Sequence, residues 1–165
     1  MKSIVLTPES AQRTLQRMAY EMVEQHYGET QLILAGIVGN GLSFAQIMKD
    51  EIQSISNLKV EVIEVNLDKK QPFAGEVSFL PEVSQLEKIP MILMDDVANS
   101  GSTLFYGLRP WMNSSIKSLK TAVLVDRSHK RFPISPDFIG ISLATTLQEH
   151  VEVVIENRQV EAFLL

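Results

Sequence analysis

Short apolar runs alternate along this chain with stretches of helical spacing, and that alternation constrains the fold more than any other feature of the sequence. Thr7-Pro8 reads as an N-cap with proline in the first helical turn. Ala11, Leu15, Met18, Ala19, Met22 and Val23 then recur at helical spacing up to a stop at Gly28. Gln31–Ala35 is a short apolar run of the kind a buried strand presents, and Phe44, Ala45, Ile47, Met48 and Ile52 mark a second helix. The rhythm continues with strands at Lys59–Val65, Pro90–Met94, Leu119–Val125 and Phe138–Ile141, and with a helix over Ser102–Met112. The tail, Val151–Leu165, reads as paired strands turning near Asn157. Strand and helix in alternation predict an α/β fold, a mainly parallel twisted sheet flanked by helices on both faces. At 165 residues it fits one domain, 1–165.

Composition removes several function classes. No apolar run approaches the roughly 18 residues of a membrane helix, and the N-terminus lacks the apolar core of a signal peptide. The chain has no cysteine, which excludes disulfides and thiolate metal sites and makes a cytoplasmic location the default expectation. The net charge of −5 argues against a protein that lives on nucleic acid, where affinity comes largely from neutralising phosphates.

The segment Met91–Leu104, MILMDDVANSGSTL, carries the chemistry. A buried strand delivers two adjacent carboxylates, Asp95 and Asp96, to its carboxyl end, where ligands bind in open α/β sheets. Val97, Ala98 and Asn99 lead into Ser100-Gly101-Ser102-Thr103, hydroxyls around a glycine at a helix start. That turn offers backbone N–H groups and hydroxyl donors to a phosphate. Paired carboxylates beside an anion site suit the hydroxyls of a sugar. The implied ligand has a phosphate and a diol about a ribose apart.

This segment resembles the phosphoribosyl pyrophosphate motif of the type I phosphoribosyltransferases, with Ser100 in place of the usual first threonine and Gly101 and Thr103 matching. The resemblance implies that Asp95 and Asp96 hold the ribose hydroxyls, that they serve as partners of a magnesium cofactor, and that Val97–Thr103 cradle the 5′-phosphate. It further implies a small hood built from the chain ends and a homodimer or higher homo-oligomer. A second stretch, Val125–Gly140, is similar to the pyrimidine-operon attenuator proteins that double as uracil phosphoribosyltransferases. It matches at Asp126, Arg127, His129, Pro133, Ile134, Asp137 and Gly140. By that resemblance Arg127, His129, Phe138 and Ile139 bind the base, with Phe138 stacking on it. The partners implied are phosphoribosyl pyrophosphate and a nucleobase, uracil first.

Two regions depart from the family. Val38, Gly39, Asn40 and Gly41, which the resemblance assigns to the pyrophosphate, contain no basic residue where the attenuator proteins usually have one. The same glycines break a dinucleotide fingerprint, because Phe44 stands where a small residue is needed. The stretch Asn66–Lys88 keeps Leu67-Asp68 but shows no period and is interrupted by Pro72, Gly75 and Pro81. A connection of that length is expected to be a functional loop, and the resemblance implies that it closes over the active site. Lys69 and Lys70 either serve the pyrophosphate or are simply solvated surface charges. Three readings follow in order: a nucleobase phosphoribosyltransferase, a regulatory RNA-binding nucleotide sensor, and a binding domain with weak activity. The acidic balance disfavours RNA as a partner.

Overall fold

The chain opens on β1 (Ser3–Leu6) and passes through Thr7 into α1 (Pro8–Gln25). The computed structural model describes residues 2–80 and 86–165. Thr7 Oγ1 accepts from the Ser10 N–H at 3.2 Å, and Ser10 Oγ accepts from the Thr7 N–H at 2.9 Å. This reciprocal cap satisfies donors that the first turn leaves free. One face of α1, Ala11, Leu15, Met18, Ala19 and Met22, is buried.

The central elements follow as β2 (Gln31–Ile37), α2 (Asn40–Ile55), β3 (Lys59–Asn66), β4 (Ser78–Leu80), β5 (Pro90–Ala98), α3 (Ser102–Gly107), β6 (Ser118–Arg127) and β7 (Phe138–Leu143). They form a six-stranded sheet in the order β4-β3-β2-β5-β6-β7, parallel except for β4, which runs antiparallel to β3. One apolar cluster joins the sheet to α1 and α2. A second, around Ile33, Leu93, Leu104 and Trp111, joins its other face to α3 and the turn beyond it. The predicted doubly covered sheet is therefore present.

The chain ends form a separate antiparallel sheet, β1-β9-β8, from β8 (Val151–Glu156), β9 (Gln159–Leu164) and β1. It is the expected hood. The hairpin turns at Asn157 and Arg158, both with positive φ (49° and 65°), which matches the twist of the flanking strands.

Three details differ from the sequence reading. The helix after the acidic pair stops at Gly107 and continues as a 3-10 turn over Arg109–Trp111. Pro110 lacks the N–H that a longer α-helix needs. The initial segment, to which the sequence reading assigns no element of its own, is a strand, because β9 supplies it with a partner far along the chain. The Asn66–Lys88 connection is also more ordered than its lack of period implies. It contains β4, and Phe79 of that strand packs on Trp111 with ring centroids 4.7 Å apart. Residues 81–85, with Pro81, lie outside the described residues.

Candidate active site

The sheet positions the site. From β2 the chain moves to β3 on one side, and from β5 it moves to β6 on the other, so the loops leaving β2 and β5 diverge and open a crevice. Pairing between β2 and β5 ends at Gly36 opposite Met94, while β5 runs on to Ala98. Asp95 and Asp96 thus stand just beyond the last β2–β5 pair, at the end of β2 and in that crevice. Gly41 allows the start of α2 to approach them. A Cβ there would lie 2.8 Å from the Met94 carbonyl oxygen and 3.2 Å from the Asp95 Cα.

Beyond the acids, Ser100 Oγ bonds Ser102 Oγ at 3.0 Å and accepts from the Ser102 N–H at 3.3 Å, and Gly101 adopts φ +83°. The Ser100 carbonyl accepts from the N–H groups of Arg131 and Phe132 at 2.9 and 3.1 Å, which holds the loop from below. The turn encloses a pocket of about 50 Å³ lined by Asp95 and residues from Val97 to Leu104, the dimensions of a phosphate group. The first turn of α3 brings N–H groups without intrahelical partners to it. Next to it lies a cleft of about 340 Å³ bounded by Lys69, Asp95, Asp96, Asn99, Arg127 and His150. A third hollow, of about 450 Å³, adjoins Asn99 and Ser100 and is bounded by Arg127, His129, Lys130 and Leu147.

The carboxylates differ in environment. Asp95 is buried, 3% exposed. Burial pushes its carboxyl from an ordinary 3.8 up to about 7, the charge of Asp96 adds to this, and Lys69 pulls the other way. Lys69 Nζ donates to Asp95 Oδ1 at 2.9 Å and lies 4.0 Å from Asp96 Oδ1. Asn40 Nδ2 donates to Asp96 Oδ2 at 2.9 Å and to the Val153 carbonyl of the hood at 2.8 Å. Asn40 therefore ties Asp96 to β8. Of the two lysines, Lys69 reaches the acids. Lys70 is exposed, and its N–H donates to Asp68 Oδ1 at 2.8 Å.

The raised Asp95 pKa has a consequence for folding. The folded protein keeps a proton that the unfolded chain gives up, so this group costs stability as pH rises from about 4 to about 7. Thermal melts of the ligand-free protein are expected to fall across that window and to flatten in Asp95→Asn. A melting curve as steep in the variant as in the parent would remove Asp95 as the cause.

Two base-binding assignments are corrected. Phe138 is 1% exposed, and its ring lies 6.3 Å from that of His26 at the end of α1. It opens β7 opposite Ala122, and Ile139 pairs with Val123, whereas β6 runs on to Arg127 before reaching the crevice. At about 3.3 Å per residue, Phe138 sits roughly 16 Å from that end of the sheet. Phe138 and Ile139 are core residues at the far edge. The signal was available: a residue that begins a parallel strand is distant from the carboxyl ends.

Arg127 and His129 do reach the crevice, but their polar ends are engaged. Arg127 Nε donates to Thr145 Oγ1 at 2.9 Å, and its Nη2 donates to the Thr146 and Glu149 carbonyls at 3.0 and 2.8 Å. His129 Nε2 lies 2.6 Å from the Thr145 carbonyl. Both brace the 145–149 loop that leads to His150. His150 and Val151 enter the cleft from the hood. Nothing local in the sequence marks them, since their position follows from the docking of β8.

Magnesium, implied by resemblance, suits this donor set. Among the described residues no group of three or more acidic or histidine side chains gathers as a protein-made metal cage. Two carboxylates beside a phosphate-sized pocket fit an ion that takes its remaining ligands from phosphate oxygens and water.

The phosphoribosyl transferase domain model matches residues 4–157. A bifunctional protein PyrR from Brevibacillus brevis is 34% identical over 92% of this chain and 89% of its own length. Another from Staphylococcus carnosus is 32% identical over 93% and 92%. The hypoxanthine phosphoribosyltransferase of Trypanosoma cruzi has a similar fold, with TM-score 0.75, 17% identity and coverage of 97% and 95%. A hypoxanthine-guanine phosphoribosyltransferase from Bacillus anthracis aligns with TM-score 0.70, 15% identity and coverage of 90% and 86%.

Proposed function

The chain belongs to the phosphoribosyl transferase domain family and is a phosphoribosyltransferase, and from that premise we propose that it transfers the phosphoribosyl group of phosphoribosyl pyrophosphate to a nucleobase, releasing pyrophosphate. The observation that carries this reading is the placement of Asp95 and Asp96 against a phosphate-sized pocket at the sheet's switch point.

In this reading the 5′-phosphate occupies the Val97–Thr103 turn, and the ribose hydroxyls donate to Asp95 and Asp96. The bond from the anomeric carbon to the pyrophosphate oxygen breaks as a ring nitrogen of the base bonds to that carbon. Positive charge develops on the sugar, and the two carboxylates face it. Lys69 is a side-chain cation in contact with the acids, and Asn40 of the Val38–Gly41 loop, where in this reading the leaving group's negative charge grows, meets the same Asp96. Lys69 supplies the charge that Val38, Gly39 and Asn40 lack, which favours an active enzyme over a weakly active binding domain. Magnesium, held by Asp95 and Asp96, would neutralise pyrophosphate charge. The 67–80 segment and the hood shield the cleft from water, which would otherwise hydrolyse the activated sugar.

Uracil is the proposed base, on the resemblance carried by Val125–Gly140, and the hollow bordered by the Arg127- and His129-braced loop is its proposed seat. A panel of nucleobases with phosphoribosyl pyrophosphate and magnesium tests this. Product with a purine and none with uracil would reject the base while keeping the reaction, and no product with any base would reject the reaction.

RNA regulation finds little support in the surface. Of the candidate cations Arg13, Arg17, Lys117 and Lys120, which are spread over two regions, the first three pair with Glu9, Glu21 and Glu29 at 2.7, 2.6 and 2.6 Å, and Arg17 also donates to the Ile139 carbonyl. These cations are partly neutralised before any phosphate arrives. Filter binding is expected to find no tight, salt-sensitive RNA complex. Nanomolar retention of an RNA at moderate salt would instead favour the regulatory reading. We further propose a cytoplasmic homo-oligomer. No described helix is long and apolar enough to cross a membrane.

A further inference from the structure

Arg109 lies outside the motif, one turn beyond α3, and its guanidinium is directed at the segment that carries Lys69. Nη2 donates to the Pro72 carbonyl at 3.2 Å and to the Gly75 carbonyl at 3.1 Å, while Nη1 reaches the Phe73 carbonyl at 3.5 Å. The guanidinium carbon sits 5.6 Å from the Tyr106 ring centroid, and Phe73 meets the same ring edge-on at 6.4 Å. Arg109 is half-buried: its Nε is buried without an acceptor among the described residues, while its contacts with the Phe73 and Gly75 carbonyls lie at the surface. A planar fork with several fixed donors suits three carbonyls of one turn in a way that an ammonium does not.

The turn is stiff enough to pass that restraint on. Asp68 Oδ1 accepts from the N–H groups of Lys70 and Gln71 at 2.8 and 3.3 Å, and the Ala74 N–H donates to the Gln71 carbonyl at 2.9 Å. Lys69 lies inside this knot, with its ammonium on Asp95 Oδ1. We propose that Arg109 is a positioning residue for phosphoribosyl transfer: it pins the 72–75 carbonyls to α3 and so holds Lys69 over the carboxylate pair, as the cation that the Val38–Gly41 loop does not provide. The inference rests on the transferase reading and adds a residue to it. Ribose hydroxyls compete for the same oxygen of Asp95, so sugar binding releases the ammonium a short distance from the departing pyrophosphate. Arg109 keeps the released lysine from swinging into solvent.

The test compares Arg109→Gln, Arg109→Lys, Lys69→Met and the double variant Lys69→Met with Arg109→Gln, all in the full chain. Without ligand, acetylation of Lys69 by an N-hydroxysuccinimide ester is followed by mass spectrometry against Lys70, together with amide hydrogen exchange. Arg109→Gln should raise Lys69 labelling several-fold and speed exchange within 68–75 alone, and Arg109→Lys should restore little of the protection. With phosphoribosyl pyrophosphate, magnesium and the preferred base, Arg109→Gln and Lys69→Met should each lower kcat about tenfold or more, the loss expected for charged hydrogen bonds. The KM for the base should hold, and the double variant should be no slower than Lys69→Met. Unchanged labelling, faster exchange throughout the chain, or additive losses in the double variant would each overturn the proposal. Absence of any transfer by the parent protein would instead reject the transferase reading, and the labelling and exchange would still decide whether Arg109 holds Lys69.

Discussion

Replacing Asp95 and Asp96 together by asparagine should weaken binding of phosphoribosyl pyrophosphate by about a thousandfold, roughly 4 kcal/mol, measured by calorimetry with magnesium present. In the proposed reading each carboxylate accepts from a ribose hydroxyl, and hydrogen bonds to a charged acceptor contribute about 1.5–3 kcal/mol apiece. Asparagine keeps the shape and loses the charge. It also puts an NH₂ group where one carboxylate oxygen stood, and Lys69 keeps at most a neutral amide oxygen in place of its charged partner. The fold is expected to survive, because Asp95 pays for its burial with a carboxyl raised to about 7, and a neutral amide avoids that cost. Loss of binding should therefore accompany equal or greater thermal stability at neutral pH. Unchanged affinity in the double variant would dismiss the site assignment. Lost affinity together with a collapsed melting transition would mean that the acids are structural.

Phe138→Ala should have the opposite signature, costing about 3–5 kcal/mol of folding stability while leaving the KM for the base unchanged. The ring is sealed in the cluster that joins α1 to the sheet, against His26 and opposite Ala122. Removing it leaves a cavity where the neighbouring strands cannot close in, since β7 is tied to β6 along its length and α1 packs across it. Urea denaturation of the variant gives the stability term, and steady-state kinetics above the folded threshold give the other. A raised KM for the base with unaltered stability would restore the stacking role that the fold removes.

Much of this architecture is written in local chemistry. Thr7-Pro8 caps α1, the run from Met91 makes a buried strand, Ser100–Thr103 turns into a helix, and Asn157 marks the hood hairpin. Each depends on neighbours a few residues away: a hydroxyl within reach of an amide, a period of two or 3.6, or a residue that tolerates positive φ. The acidic pair and the Val97–Thr103 turn are legible for the same reason, as one uninterrupted segment holds both.

Tertiary structure decided the rest of the site. Lys69 and Asp95 are 26 residues apart, Asn40 and Asp96 are 56, and Asn40 and Val153 are 113. The sequence resemblance assigns Arg127 and His129 to the base, yet the carbonyls and hydroxyl they bind belong to a loop whose course is set by the hood. An aromatic residue in a strand pattern looks alike whether it faces ligand or core. The pleat tells which face a side chain takes, but its distance from the crevice depends on which neighbouring strand it pairs with and at what register. For Phe138 that register, opposite Ala122 rather than Arg127, places it among the core residues. Pairings of this kind are fixed by the joint burial of both faces of the sheet, a property of the assembled strands that no single segment carries.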